Sequence, residues 1–399
     1  MGQQGSYPIG ARVLAAIDTL TGVVTGKTAD VPLSALFAYV CGGAGALSPA
    51  QRVSMGIAGA GANGDITSLT ALTSVNSGYL YGNRVINGAM EIDQVNAGAA
   101  ITPTIGFGYG VDMFGAYVSQ NSKLTFQQVL DAPAGLRYST KITVASQYTP
   151  ASTDSFQFQT AIEGKDLIDF QLGYPGAATF TFSFWVKGSI AGTYAVSLLN
   201  AAANRSYVGT VNITNSWSQL KITVAGDLTG TWATDNTTGL YLRFDLGSGA
   251  NYNTTAGTWQ AGQFNRTAGS VTFVNQVAGS TLNITGVDCR LGSVAPTVFE
   301  RRLNELQLSQ RYLQSWPIGS IDYIGNNANA GQLNSFPLNM KATMRGNPTW
   351  GGTTFTMVNG TIATGTLTAD ACVLTVTNIA AGQWRATNTS LGLLSARLF

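Results

Sequence analysis

The chain has 399 residues, of which 45% are hydrophobic and only 10% charged, against about a quarter charged in an ordinary globular domain. Lys and Arg number 21 and Asp and Glu 19, so a net charge of +2 provides no broad positive field and excludes nucleic acid as the expected partner. Histidine is absent, which removes Ser-His-Asp and Cys-His catalysis, histidine general bases and most zinc or iron sites.

The first block, residues 1–82, opens with MGQQGSYPIG, which lacks the basic-then-apolar order of a cleaved signal. Its apolar stretch from Val31 to Leu47 is broken by Pro32, Ser34, Gly42, Gly43 and Gly45, so neither membrane insertion nor export by a leader is expected. A tract rich in Gly, Ala and Ser follows, and then Ile66, Leu69, Leu72 and Val75 recur every three residues. That spacing suits a helical stripe, or a seam where identical copies wrap around one another; a plain linker is the other reading.

The second block, residues 83–294, alternates short strands with Gly, Asn and Asp turns. In FTFSFWVKG, Phe180, Phe182, Phe184 and Val186 share one face and Thr181, Ser183 and Lys187 the other, as in a half-buried strand. Leu240, Leu242, Phe244 and Leu246 repeat the period, as do Leu220, Ile222 and Val224. With 48 glycines and turns such as Ala225-Gly226-Asp227, the pattern predicts an antiparallel, jelly-roll-like β-sandwich.

Residues 295–316, APTVFERRLNELQLSQRYLQSW, concentrate charge that is scarce elsewhere. Phe299, Leu303, Leu306, Gln310 and Leu313 fall on one stripe at helical spacing, which predicts a connecting amphipathic helix. Phe299, Leu303, Leu306 and Leu313 are the expected packing residues, against a sheet at the domain junction or against copies of the chain.

The third block, residues 317–399, reads as a β-rich tip domain. Phe355, Met357 and Val358, then Leu374, Val376 and Ile379, mark strands, with Gly351-Gly352, Ala381-Gly382 and Asn359-Gly360 as turns, the last a hairpin signal. Tyr323, Trp350 and Trp384 lie among Asn, Gly, Thr and Gln, the mixture that a neutral glycan needs: flat rings for its apolar side, amides and hydroxyls for its OH groups. They are the candidate carbohydrate-binding residues, although any one of them also suits a sandwich core.

Other signals point to structure. Cys41, Cys289 and Cys372 form neither a CxxC motif nor a disulfide framework, and read as reduced core thiols of a protein made in a cytosol. Glu163, Asp166 and Asp169, and the pair Glu91 and Asp93, lack the spacing of a calcium loop and read as structural carboxylates, so no metal or cofactor is expected. GAGANG at Gly59 to Gly64 lacks the Lys-Ser/Thr of a phosphate loop.

Five stretches occur in an order that resembles the distal part of bacteriophage tail fibres: NRVINGAMEIDQVNAG at Asn83 to Gly98, SFWVKG, NSWSQLKITVAG, SVAPTVFERRLNELQLSQRYLQ, and MKATMRGNPT at Met340 to Thr349. GANGDITSLTALTS, Gly61 to Ser74, is similar to a segment that often precedes them. The chain departs from the family at Val111-Asp112-Met113-Phe114, where a basic-aromatic pair is usual, and at Arg290, where an acidic residue is. The resemblance implies a virion fibre made in the bacterial host cytoplasm, a homotrimer, with a sandwich similar to carbohydrate-binding modules. Its N-terminal region would attach to another virion protein and its β-domains would recognise a bacterial surface glycan without catalysis. A structural head or collar fibre is one alternative. A depolymerising tailspike is another, although its usual repetitive β-helix has no counterpart between Gly82 and Ser293.

Overall fold

The computed structural model describes residues 82–351 and 353–398, so the expectations for residues 1–81, including Cys41 and the proposed attachment region, lie outside the described residues. The fold is mainly β and antiparallel, as the alternating strands predict. Twelve strands build a sandwich: β1 (Gly106–Tyr109), β2 (Phe114–Val118), β3 (Leu124–Val129), β4 (Ser139–Val144), β5 (Phe156–Glu163), β6 (Phe180–Gly188), β7 (Gly192–Asn200), β8 (Arg205–Ile213), β9 (Ser218–Val224), β10 (Thr238–Asp245), β11 (Trp259–Ala261) and β12 (Thr281–Leu291). One sheet has the order β1-β2-β5-β10-β7-β8-β11 and the other β3-β4-β12-β6-β9, so the chain crosses repeatedly between the two, in the manner of a jelly roll.

The period-two alternation sends large apolar residues between the sheets. Phe244 of β10 meets Phe184 of β6 edge-on at 4.8 Å and Phe182 at 5.6 Å, while Phe158 of β5 stacks on Phe126 of β3 at 5.8 Å. These rings are buried, and their area contributes to the sandwich's cohesion at roughly 25 cal/mol per Å².

The other face of the five-stranded sheet is also covered along β6, while Lys221 and Thr223 beside it on β9 stay exposed. Thr181 and Ser183, expected on the open side of a half-buried strand, are buried at 0% and 1% exposure. The cover comes from segments distant in sequence. A bulge in β12 between Thr285 and Asp288, with Gly286 at φ +57°, admits the segment 83–90. There Arg84 N donates to Cys289 O at 2.8 Å, and Asn83 Oδ1 accepts from Val85 N and Cys289 N. The carbonyl of Gly292 accepts from the Thr181 hydroxyl, and that of Pro296 from Gln219 Nε2.

The helix expected over 295–316 is much shorter. Only α1 (Glu305–Gln310) is α-helical, because Asn304 takes a left-handed conformation, φ +58°, and β13 (Leu313–Trp316) is claimed by pairing with β21 (Gly392–Ser395). Register within the segment differs too. Ser309, Tyr312 and Leu313 are buried and Leu308 packs on the core, whereas Leu303 and Leu306 are 89% and 50% exposed and Phe299 is half-buried.

Beyond α1 the chain makes three passes. The first is β13, β14 (Asp322–Asn327) and β15 (Leu333–Leu338), the second β16 (Thr349–Gly351), β17 (Phe355–Val358) and β18 (Gly360–Leu367), and the third β19 (Cys372–Asn378), β20 (Gly382–Asn388) and β21. The third pass is always central, giving the sheets β13-β21-β16, β14-β20-β17 and β15-β19-β18. Asn359-Gly360 is therefore a corner and not a hairpin. Asn359, at φ +51°, carries the chain from β17 in one sheet to β18 in the next, and its Nδ2 donates to the carbonyls of Ala380 and Gln383.

Candidate functional site

The three aromatics expected to bind sugar line the inside of this three-pass ribbon. Trp384 is 1% exposed. It lies across Gly325, its partner on β14, where an added Cβ would come within 2.4 Å of the indole, so it has no open face for a ligand. Tyr323 and Trp350 are half-buried: Tyr323 stacks on Phe336 at 4.6 Å, and Trp350 lies between Trp316 and Phe355 at 6.4 and 6.5 Å. Ring stacking within the ribbon explains these positions.

A different surface has the features of a binding site. Because Leu240, Leu242 and Phe244 point into the sandwich, Tyr241, Arg243 and Asp245 project from the opposite face of the seven-stranded sheet. The same alternation places Gln157 and Gln159 of β5, Ser197 of β7, Tyr117 of β2, and Phe107 and Tyr109 of β1 on that face. The pairing registers align Tyr109, Gly115, Gln159, Arg243 and Ser197 in one row across five strands. Phe107 lies over Gly115, whose missing side chain leaves room for the ring, and meets Tyr109 edge-on at 4.7 Å.

The centre of the row is polar, buried and unpartnered. Gln159 Oε1, Arg243 Nε and Nη1, and Ser197 Oγ, on three adjacent strands, make no hydrogen bond within the protein. Unmet donors and acceptors at such burial are costly and are uncommon in folded proteins. Burial pushes the Arg243 guanidinium down to about 10, so it remains a cation at neutral pH. It lies 4.8 Å from the centroid of the Tyr241 ring.

Asp245, the next outward residue on β10, is committed elsewhere: Gly247 N and Ser248 N donate to it, and Arg266 Nε lies 3.7 Å away. Desolvation raises its pKa against those contacts. At the other end Glu163 meets Lys165 at 2.7 Å and Arg311 at 3.3 Å. Between them the face offers aromatic rims, with Tyr117 40% exposed, around donors and acceptors that want a ligand's.

The alternation in GLYLRFDLG marks its inward residues and draws attention away from this face. Arg243 itself was the available signal, a charge in mid-strand in a chain with few charges. The carboxylates judged structural are engaged as such: Asp169 with Arg84 at 2.6 Å, Glu91 with Arg301 at 2.6 Å, and Asp93 accepting from Asn96 N and Gly98 N. Among the described residues, no cluster of His, Cys, Asp and Glu could hold a metal, and no helix is long and apolar enough to cross a membrane.

Comparison with family models finds no match, and neither does comparison with curated proteins. Among solved structures the chain is similar to one described as "CBM4 structure and function", at 17% identity and a TM-score of 0.26, over 52% of this chain and 98% of that one. It is also similar to TmCBM61 in complex with β-1,4-galactotriose, at 12% identity and a TM-score of 0.26, over 53% and 99%. A family 11 carbohydrate-binding module of a cellulosomal cellulase of Clostridium thermocellum gives 12% identity and 0.26, over 49% and 99%. Scores of this size carry no argument about function.

Proposed function

We propose that the outer face of the seven-stranded sheet binds carbohydrate, and that the chain is the receptor-recognising part of a bacteriophage tail fibre. The observation that carries the binding reading is the row Gln159, Arg243 and Ser197, whose buried polar atoms are unpartnered and are flanked by Tyr117, Tyr241 and Tyr109. Sugars present hydroxyls beside apolar ring faces, which this arrangement complements. The fibre reading rests on the order of sequence stretches from Asn83 to Thr349. It implies attachment through residues 1–82 and a homotrimer, for which the exposed Leu303 and Leu306 offer apolar surface.

The role is binding and not cleavage. The two carboxylates on this face, Glu163 and Asp245, stand at opposite ends of the β5–β10 pair: Asp245 pairs with Gln157, six positions along β5 from Glu163. At about 3.3 Å per residue that is roughly 20 Å, far beyond the ~5–9.5 Å that a glycosidase needs.

The test is binding of the full chain to purified surface polysaccharides of candidate host bacteria, followed by calorimetry and by the length of the polymer afterwards. Tyr117→Ala should weaken binding about tenfold, as loss of one stacking ring does, while Trp350→Ala leaves it unchanged. Binding that follows Trp350 and ignores Tyr117 overturns the assignment to this face, and a shortened polymer overturns the non-catalytic role.

A further inference from the structure

We infer that the ligand of this face is an acidic glycan, one whose sugar carboxylate pairs with Arg243; the inference rests on the carbohydrate-binding reading above and names its ligand class. Several other buried or half-buried arginines are paired with carboxylates, and half-buried Arg345 instead donates to the backbone carbonyls of Ala396, Asn236 and Arg397. Arg205 grips Asp227 through Nε and Nη2 at 2.7 and 2.5 Å, Arg290 grips Asp288 at 2.7 and 2.5 Å, Arg311 meets Glu163, and Arg266 meets Asp245. Arg243 is as buried, at 8% exposure, yet its Nε and Nη1 have no acceptor.

The ionisable groups that bear on it are the phenols of Tyr241, Tyr252 and Tyr117, which are neutral at physiological pH. A second guanidinium stands at one end of the same row, where Arg397 lies 3.6 Å from the centroid of the Tyr109 ring. It is half-buried, with its Nη2 atom buried and unpartnered. Asp112 and Asp93 act on Arg397, whereas no carboxylate acts on Arg243, which is therefore the unmatched cation of the row.

Hydroxyls of a neutral sugar would satisfy the hydrogen bonds but leave the charge unmatched. A carboxylate does both, because guanidinium and carboxylate are planar and meet through parallel N–H···O contacts. In a poorly solvated site such a pair is much stronger than at the surface. Tyr241 lies against Arg243, so a ligand that reaches the guanidinium must share or shift that ring's place. Tyr117, already 40% exposed, is the ring best placed to move.

The experiment uses a panel of bacterial polysaccharides rich in uronic acids, each in native form and after chemical reduction of its carboxyls to neutral alcohols, titrated against the full chain at low and high salt. At least one native polymer should bind ten- to a hundredfold more tightly than its reduced twin, with the preference shrinking as salt rises. Arg243→Gln should abolish the preference and Arg243→Lys restore it in part. Neither variant should lower the melting temperature, since an unpaired buried cation does not stabilise the fold.

If native and reduced polymers bind equally and Tyr117→Ala weakens both, the acidic-ligand inference is overturned while the carbohydrate-binding reading stands. If no polymer binds, or Tyr117→Ala changes nothing, that reading fails and the inference fails with it. A large stability loss in Arg243→Gln and Arg243→Lys, without change in selectivity, assigns Arg243 to the scaffold and also overturns the inference.

Discussion

Asn378 and Asn388 occupy equivalent places at two interruptions of the ribbon's central pass. Each is 1% exposed, and each donates from Nδ2 to the carbonyl two residues ahead and to one on the first pass: Asn378 to Ala380 and Asn329, Asn388 to Ser390 and Pro317. They differ in one respect. Asn388 Oδ1 accepts from Ile321 N at 2.9 Å, whereas Asn378 Oδ1 is buried without a partner.

Truncation should register that difference. Asn388→Ala loses three buried hydrogen bonds and strands their partners, for about 3 kcal/mol, and Asn378→Ala loses two, for about 2 kcal/mol. Urea unfolding monitored by tryptophan fluorescence measures both, and equal losses would contradict the role assigned to Ile321 N.

Glu305 makes stability depend on pH. Desolvation raises its carboxyl from 4.5 to about 7, against the opposing pull of Arg302 and the hydrogen bond from Asn87 N. Since the folded-state value is the higher one, the folded protein binds the extra proton. Its stabilising effect is complete below the unfolded value and is lost as pH rises through about 7. Discounted for partial exposure, the loss is about 1–3 kcal/mol. Glu305→Gln should be more stable than the parent at pH 8 and little different at pH 4, as urea midpoints at the two values would reveal.

Gly88 has no room for a side chain. An added Cβ would lie 2.1 Å from the carbonyl oxygen of Val287 and 3.2 Å from the ring of Phe299. The first of these is backbone in the β12 bulge and cannot swing away, so Gly88→Ala should cost about 2–3 kcal/mol. Segment 83–90 should loosen first, seen as faster hydrogen exchange at Arg84 N, which donates to Cys289 O.

Cys289 and Cys372 are buried thiols with no disulfide. Burial raises both, Cys372 to about 11 and Cys289 further still. Neither should react with a thiol reagent at pH 8 in the native protein, and both should do so after denaturation. Rapid native labelling at either position, read by mass spectrometry, would contradict this burial.

The sandwich was legible in the sequence wherever one strand carried its own alternation, as from Phe180 to Val186. What alternation cannot tell is whether an outward face meets water or chain. Thr181 and Ser183 look solvated in FTFSFWVKG, but their cover lies about a hundred residues away in either direction. The segment 295–316 misled for a related reason. Its helical spacing is real, yet Leu313 to Trp316 gain more by pairing with a strand almost eighty residues later. The proposed binding face was half-visible: Arg243 could be placed opposite Leu242, but its neighbours Gln159 and Ser197 meet it only through tertiary pairing. Trp384 failed as a ligand residue because Gly325, on another pass, opens the slot that buries it.

The three-pass ribbon imposes an order on synthesis. Strands β13 to β18 pair with nothing among themselves; every ladder they join runs to β19, β20 or β21. While residues 372–395 remain in the ribosome, six strands wait with unpaired edges, open to any sheet that can dock on them. Closure is therefore late and concerted, and mispairing between nascent neighbours is the hazard this topology carries.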